Sequence, residues 1–229
     1  MTGSLTILFI AAVFFVVSHF ALSHPPLRGS LVARLGEKAF RAVFGLVALA
    51  AIIWLVKAYG AAPYVELWPT AAWMRRVVLI VMPLAAILLV AGLTARNPTA
   101  MYWNNPEADE PLPGILMVTR HPVMWAVVLW VLAHMTANGD AASLIFFAAF
   151  AGLALAGMPA IDRRRRMMMG EAGTSFEAAT SVLPFAAVAG GRAKFSPRRI
   201  GIWRIAGGVL LYGILLFGHR AVIGVSPLI

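Results

Sequence analysis

The stretch T-R-H-P-V-M-W-A-V-V-L-W-V-L-A-H-M-T-A-N-G-D, residues Thr119 to Asp140, decides the fold class. Its centre is continuously apolar, and it carries a histidine at each end. Pro122 stands where a helix starts at little cost, because the first helical N–H has no partner anyway. Gly139 stands just past the end, where a helix is expected to stop with a positive φ. Extended slightly at both ends, with a start near Met117, the run is long enough to cross a bilayer. Ionisable side chains are expensive inside a membrane, so His121 and His134 mark candidate sites.

The rest of the chain agrees with a membrane reading. Of 229 residues, 61% are hydrophobic and only 12% charged, where a soluble domain has roughly 45–50% and about 25%. Mean hydropathy is +0.85. Six apolar segments stand out: residues 5–22, 40–59, 77–95, 123–138, 141–161 and 201–218. Each approaches the ~20 residues that a spanning helix needs. The expected fold is therefore all-α, a polytopic membrane helix bundle of about six transmembrane helices in a single domain over residues 1–229. The first segment has no basic residue before it and a long apolar run, so it reads as an uncleaved helix rather than a leader.

Charge orients the bundle. Arg28, Arg34, Lys38 and Arg41 follow the first segment, Arg96 and Arg120 border the third connection, and Arg163 to Arg166 open a strongly basic fifth one. The opposite side carries only Lys57, Arg75, Arg76 and Arg220. Cytoplasmic loops hold the excess of cations, which predicts a bacterial inner membrane protein with both termini periplasmic. The net charge of +10 then points to anionic lipid as a partner, not nucleic acid. The Pro-rich connection with Glu107, Asp109 and Glu110 is expected to wrap an entrance. The run R-R-R-R-M-M-M (163–169) is expected to open an interfacial cytoplasmic helix.

There is no cysteine, which excludes disulfides and thiolate-ligated metals. Chemistry therefore falls to the histidines: His19, His24, His121, His134 and His219. His19 shares a helix face with Phe15 and Ser23, and His134 shares one with Trp130 and Asn138. An imidazole on an apolar, aromatic stripe is held neutral and can ligate a metal. Two of them from different helices suit a haem iron. For any one of the five, a helix–helix hydrogen bond is an equally ready role. His24, before Pro25 and Pro26, reads as an interfacial loop residue. His121 and His134 lie about 20 Å apart along a helix, too far for one iron. On the expected topology His19 and His134 differ in depth by about 12 Å. By depth alone His134 pairs with His219, and His121 with His19 or His24.

Six motifs are spread along most of the chain, from residue 16 to residue 187: V-V-S-H-F-A-L-S (16–23), L-G-E-K-A-F-R (35–41), T-R-H-P (119–122), L-W-V-L-A-H-M-T-A-N-G-D (129–140), D-R-R (162–164) and T-S-V-L-P-F-A-A (180–187). They resemble the NnrU family, and with it the plant zeta-carotene isomerases. The resemblance implies a membrane haem b protein with iron ligands, and catalytic histidines, at His19 and His134. It further implies isomerisation of a cis double bond of a carotenoid polyene at ferrous iron. Arg120, His121, Asn138 and His219 join as cofactor-binding candidates, His219 by matching a histidine in the plant C-terminal helix. The plant proteins carry a Cys three residues before the second His; this chain has Val131, so no thiolate can exchange for an imidazole. NnrU proteins are also associated with denitrification, which implies an alternative: a non-enzymatic accessory factor partnering nitrite or nitric oxide reductase. T-R-H-P also resembles the Arg-His-Pro motif of membrane methyltransferases, which implies a second alternative that uses S-adenosylmethionine. The paired glutamates of that family are replaced here by E-A-G-T-S-F-E (171–177).

Overall fold

The computed structural model describes residues 3–99 and 112–228. The expected entrance-wrapping acids Glu107, Asp109 and Glu110 lie outside them. The described residues fold into helices α1 (Leu5–Ser23), α2 (Pro25–Leu35), α3 (Glu37–Ala61), α4 (Ala72–Thr94), α5 (Gly114–Val118), α6 (Pro122–Ala137), α7 (Ala141–Met169), α8 (Glu171–Ala179), α9 (Ala186–Ala189) and α10 (Ile202–Ile223). A single isolated bridge, Glu66 to Asp140, is the only β pairing among them. The fold is all-α, as the apolar segments predict.

Helices α1, α3, α4, α7 and α10 are each long and apolar enough to cross a membrane. Their outward faces carry large apolar side chains, with Leu46, Ile80, Phe217 and Val222 between 67% and 81% exposed. Such surfaces need lipid rather than water. Helix α6 has 16 residues, or about 24 Å of rise, against a hydrocarbon core of roughly 30 Å. It starts at Pro122 as expected, not near Met117. The chain leaves helical geometry at Thr119 (φ −159°, ψ 148°), and α5 stands as a separate turn before it.

The expected interfacial helix also begins later than its basic run. Residues 162–169 continue α7 beyond its apolar part, because Arg and Met are good helix formers and nothing there breaks the turn. The helix stops at Gly170, which has positive φ (55°), and α8 starts at Glu171. On the other side of α1, the His24–Pro25–Pro26 sequence is not a loop. Pro25 opens α2, and His24 is the extended residue (φ −65°, ψ 125°) between the two helices.

Two compact units are present. The first is Met1–Thr70 with His134–Leu153; the second is Ala71–Ala133 with Ala154–Ile229. In the first, α1 and α3 pack together, with Phe14 and Trp54 rings 5.6 Å apart. The segment before α4 ties down the end of α6. Leu67 and Trp68 N–H groups donate to the Gly139 carbonyl (2.7 and 3.1 Å), and the Ala141 N–H donates to the Val65 carbonyl. Gly139 does not have the positive φ expected of it. It is needed for a different reason: a Cβ there would meet the Trp68 carbonyl oxygen at 1.9 Å. Asp140 caps α7, accepting from the Ser143 N–H at 2.9 Å and the Ser143 hydroxyl at 2.5 Å.

In the second unit α4 and α10 lie against each other. A Cβ on Gly208 would sit 2.5 Å from the Ile87 Cα. A small residue at a close helix crossing is how membrane helices gain van der Waals contact where lipid supplies no hydrophobic drive. Ala91, Ala95, Ile115, Leu116, Met117, Val118, Phe176 and Ile200 form a core that seats α5.

Candidate functional site

The histidines divide into two settings. His19 lies on α1, half-buried, in the first unit. Its Nδ1 is 2.6 Å from the Phe15 carbonyl oxygen. A carbonyl can only accept, so Nδ1 carries a proton, and in the neutral ring the lone pair is on Nε2. A backbone bond of this kind fixes the tautomer and orients a ligating imidazole. The ring lies edge-on to Phe15 (4.7 Å) and Phe44 (5.8 Å).

His134, on the last turn of α6, belongs to the same unit. Its ring is 5.5 Å from that of Phe147. A file of ring contacts joins the two histidines: His19 to Phe15, Phe15 to Phe150 (5.0 Å), Phe150 to Phe146 (5.2 Å), Phe146 to Phe147 (5.3 Å), and Phe147 to His134. Asn138 bonds back to its own helix. Its side-chain amide, like its own N–H, bonds back to the His134 carbonyl, at 2.7 and 2.9 Å. It closes the end of α6 and thereby fixes the backbone that carries His134.

Two imidazoles and five phenylalanine rings in contact with them or between them (Phe15, Phe44, Phe146, Phe147, Phe150) are the donor type and the lining that an apolar macrocycle with a central iron would use. Histidine nitrogens are standard axial donors, and an apolar wall controls water access and potential. The chemistry of this donor set therefore fits haem.

The second setting is polar and closed. Arg120, His121 and Asp162 form one buried cluster in the second unit. Asp162 Oδ2 accepts from Arg120 Nε (2.9 Å) and Nη2 (2.8 Å), a charge-assisted fork. Its Oδ1 is 2.8 Å from His121 Nε2. His121 is 2% exposed and Asp162 6%. A charge this deep survives only when paired and fully hydrogen-bonded. The local chain is built for it. The Thr119–Arg120–His121 break turns both side chains toward α7, and Pro122 restarts the helix at once.

The same element clamps the segment after α8. The Arg120 N–H donates to the Ser181 carbonyl (2.9 Å), while the Thr119 hydroxyl and the Trp125 indole N–H both donate to the Val182 carbonyl (2.7 Å each). Asn97 and Thr99 bond the Arg120 carbonyl. T-R-H-P, D-R-R and T-S-V-L-P-F-A-A, far apart in the chain, are thus one assembly.

Asp162 is the residue that sequence reasoning missed. It looked like the first polar residue after an apolar run, followed by four arginines. Its signal was the acid itself, a lone carboxylate next to an apolar helix with Arg120-His121 as the available partners. His219 lies on α10 in the second unit and is not bonded to Asp162. Its Nδ1–H donates to the Val225 carbonyl (2.8 Å), tying down the end of α10.

Comparison with known proteins places these motifs. Residues 7–227 match the family described as NnrU protein. The maize (Zea mays) protein named 15-cis-zeta-carotene isomerase, chloroplastic, is 38% identical over 81 residues, covering 35% of this chain and 22% of that relative's length. No solved structure matches.

Proposed function

The chain belongs to the NnrU family, and from that premise we propose that it is a haem b membrane protein that isomerises a cis double bond of a conjugated polyene. The observation that carries the reading is the Nδ1–H bond from His19 to the Phe15 carbonyl, which leaves Nε2 as a donor to iron. His19 and His134 are the residues that would hold the haem iron. Both stand in the same compact unit, and the matched region of the maize protein, named for a carotene isomerase, suggests the substrate class.

Haem held there would, in its ferrous state, supply the electron density that weakens one double bond of the polyene with no net oxidation or reduction. The protein's own residues do the rest. The Phe15, Phe44, Phe146, Phe147 and Phe150 rings offer an apolar lining for both macrocycle and polyene, and they exclude water. His134 lies on the last turn of its helix, and Asn138 holds its carbonyl, which fixes the backbone that carries it. Arg120 and His121 are engaged by Asp162, so they serve the reading by stiffening the second unit. The setting is a bacterial inner membrane with both termini periplasmic.

The test is anaerobic incubation of the dithionite-reduced, haem-loaded protein with a polyene carrying a central cis bond, followed by chromatography of the isomers. Conversion to the trans isomer in the reduced protein, and none in the oxidised one, is the expected result. A haem-loaded protein that leaves the isomer unchanged in both states would contradict the isomerase reading.

A further inference from the structure

Beside the Arg120–His121–Asp162 cluster is an open cavity of about 360 Å3, and the haem reading makes no use of it. Its wall includes Arg120, Glu177, Thr180, Leu183 and Arg192. The two arginines converge there. Nη1 of each donates to the Glu177 and Thr180 carbonyls, and Arg192 Nη1 also reaches the Ala178 carbonyl at 2.6 Å.

Their charges are balanced differently. Arg120 is compensated by Asp162 at 2.8 Å. Glu177, the carboxylate on the wall, is paired with Arg166 at 2.5 Å. Among the described residues no carboxylate pairs with Arg192. All its hydrogen bonds there leave from Nη1, so Nε and Nη2 present three N–H groups. The cavity thus has an excess positive charge with a planar donor edge, the chemistry that selects a phosphate oxygen pair.

Leu183 on the wall is 62% exposed. Two positions on, Phe185 is 45% exposed, and Phe195 is 36% exposed. The Phe185 and Phe195 rings meet at 5.3 Å. Phe185 keeps a left-handed backbone (φ 63°), uncommon for a bulky residue. Its N–H bond to the Val118 carbonyl, 2.7 Å, holds it there. The depth is also right. The apolar part of α7 ends at Ile161, so Asp162 and the cavity beside it fall at the headgroup level.

We infer that this cavity binds a phosphodiester, the headgroup of an anionic phospholipid, with Arg192 Nε and Nη2 on the phosphate and Leu183 and Phe185 against the acyl chains. The inference does not depend on haem.

The test is native mass spectrometry of the full chain, delipidated in detergent and titrated with phosphatidylglycerol or phosphatidylcholine. Wild type should bind phosphatidylglycerol preferentially, and Arg192→Gln should lose roughly tenfold of that affinity. Phosphatidylcholine, whose own cation offsets its phosphate, should bind wild type more weakly and lose less in Arg192→Gln. Inorganic phosphate should not displace the lipid; displacement would assign the site to a free anion and overturn the lipid. Equal phosphatidylglycerol binding by wild type and Arg192→Gln overturns the site altogether. If Arg192→Gln does not fold, Leu183→Glu on the wall decides. It should show the same selective loss, and wild-type affinity there overturns the proposal.

Discussion

His19 and His121 are the same residue type in two unlike surroundings. His121 is closed. Its Nε2 lies on a carboxylate that also holds an arginine, and it is 2% exposed. His19 is open on one side. Its Nδ1–H bonds its own helix, and Nε2 keeps its lone pair among aromatic rings. The first arrangement stabilises, because an acid and two donors satisfy one another where water is excluded. The second leaves Nε2 outside the bonding of its own helix, because only Nδ1 meets the Phe15 carbonyl. The roles proposed for the two histidines rest on that difference.

The contrast can be broken most forcefully at Asp162. Asp162→Ala leaves Arg120 and His121 buried without their acid, and is expected to cost about 3–5 kcal/mol. Thermal unfolding in detergent should reveal the loss, while haem per folded molecule should stay at the wild-type value. A large haem loss in the folded fraction would show that the two settings are coupled. His121→Ala keeps the Arg120 fork and removes one bond to Asp162, so a smaller cost of roughly 1–3 kcal/mol is expected in the same assay. His19→Ala reverses the pattern. Haem affinity should fall at least about tenfold and stability of the apo protein should change by less than ~1 kcal/mol. An apo protein strongly destabilised by His19→Ala would make His19 a packing residue. The smallest effect is expected at His219, whose ring only ties the end of α10 to Val225. His219→Ala should leave haem content intact and stability within about 0.5 kcal/mol, and loss of haem there would make His219 the partner of His134.

What was legible in the sequence follows from how local each cause is. The membrane class and the long helices were legible because apolar runs of spanning length are a local signal. Pro122 as a helix start was legible for the same reason. The start of the fourth apolar segment was misplaced because Thr119, Arg120 and His121 leave helical geometry to bond Ser181, Val182 and Asp162, partners more than 40 positions away. Gly139 was identified as special, but for the wrong reason, since the Trp68 carbonyl that forbids a side chain comes from a distant loop. Asp162 was invisible as a site residue until Arg120 and His121 were seen on it. The resemblance carried His19 and His134, and the tautomer of His19 is a fact only the folded helix supplies.

The central claim, an iron between His19 and His134, is tested most directly by optical spectra of the protein purified from a haem-supplied host. They would be recorded oxidised and reduced, for wild type, His19→Ala and His134→Ala. The account predicts a Soret band in wild type that sharpens and shifts on reduction with resolved visible bands, and its loss or marked change in each single variant. A wild-type protein with no Soret band, or two variants with the full wild-type spectrum, would contradict it.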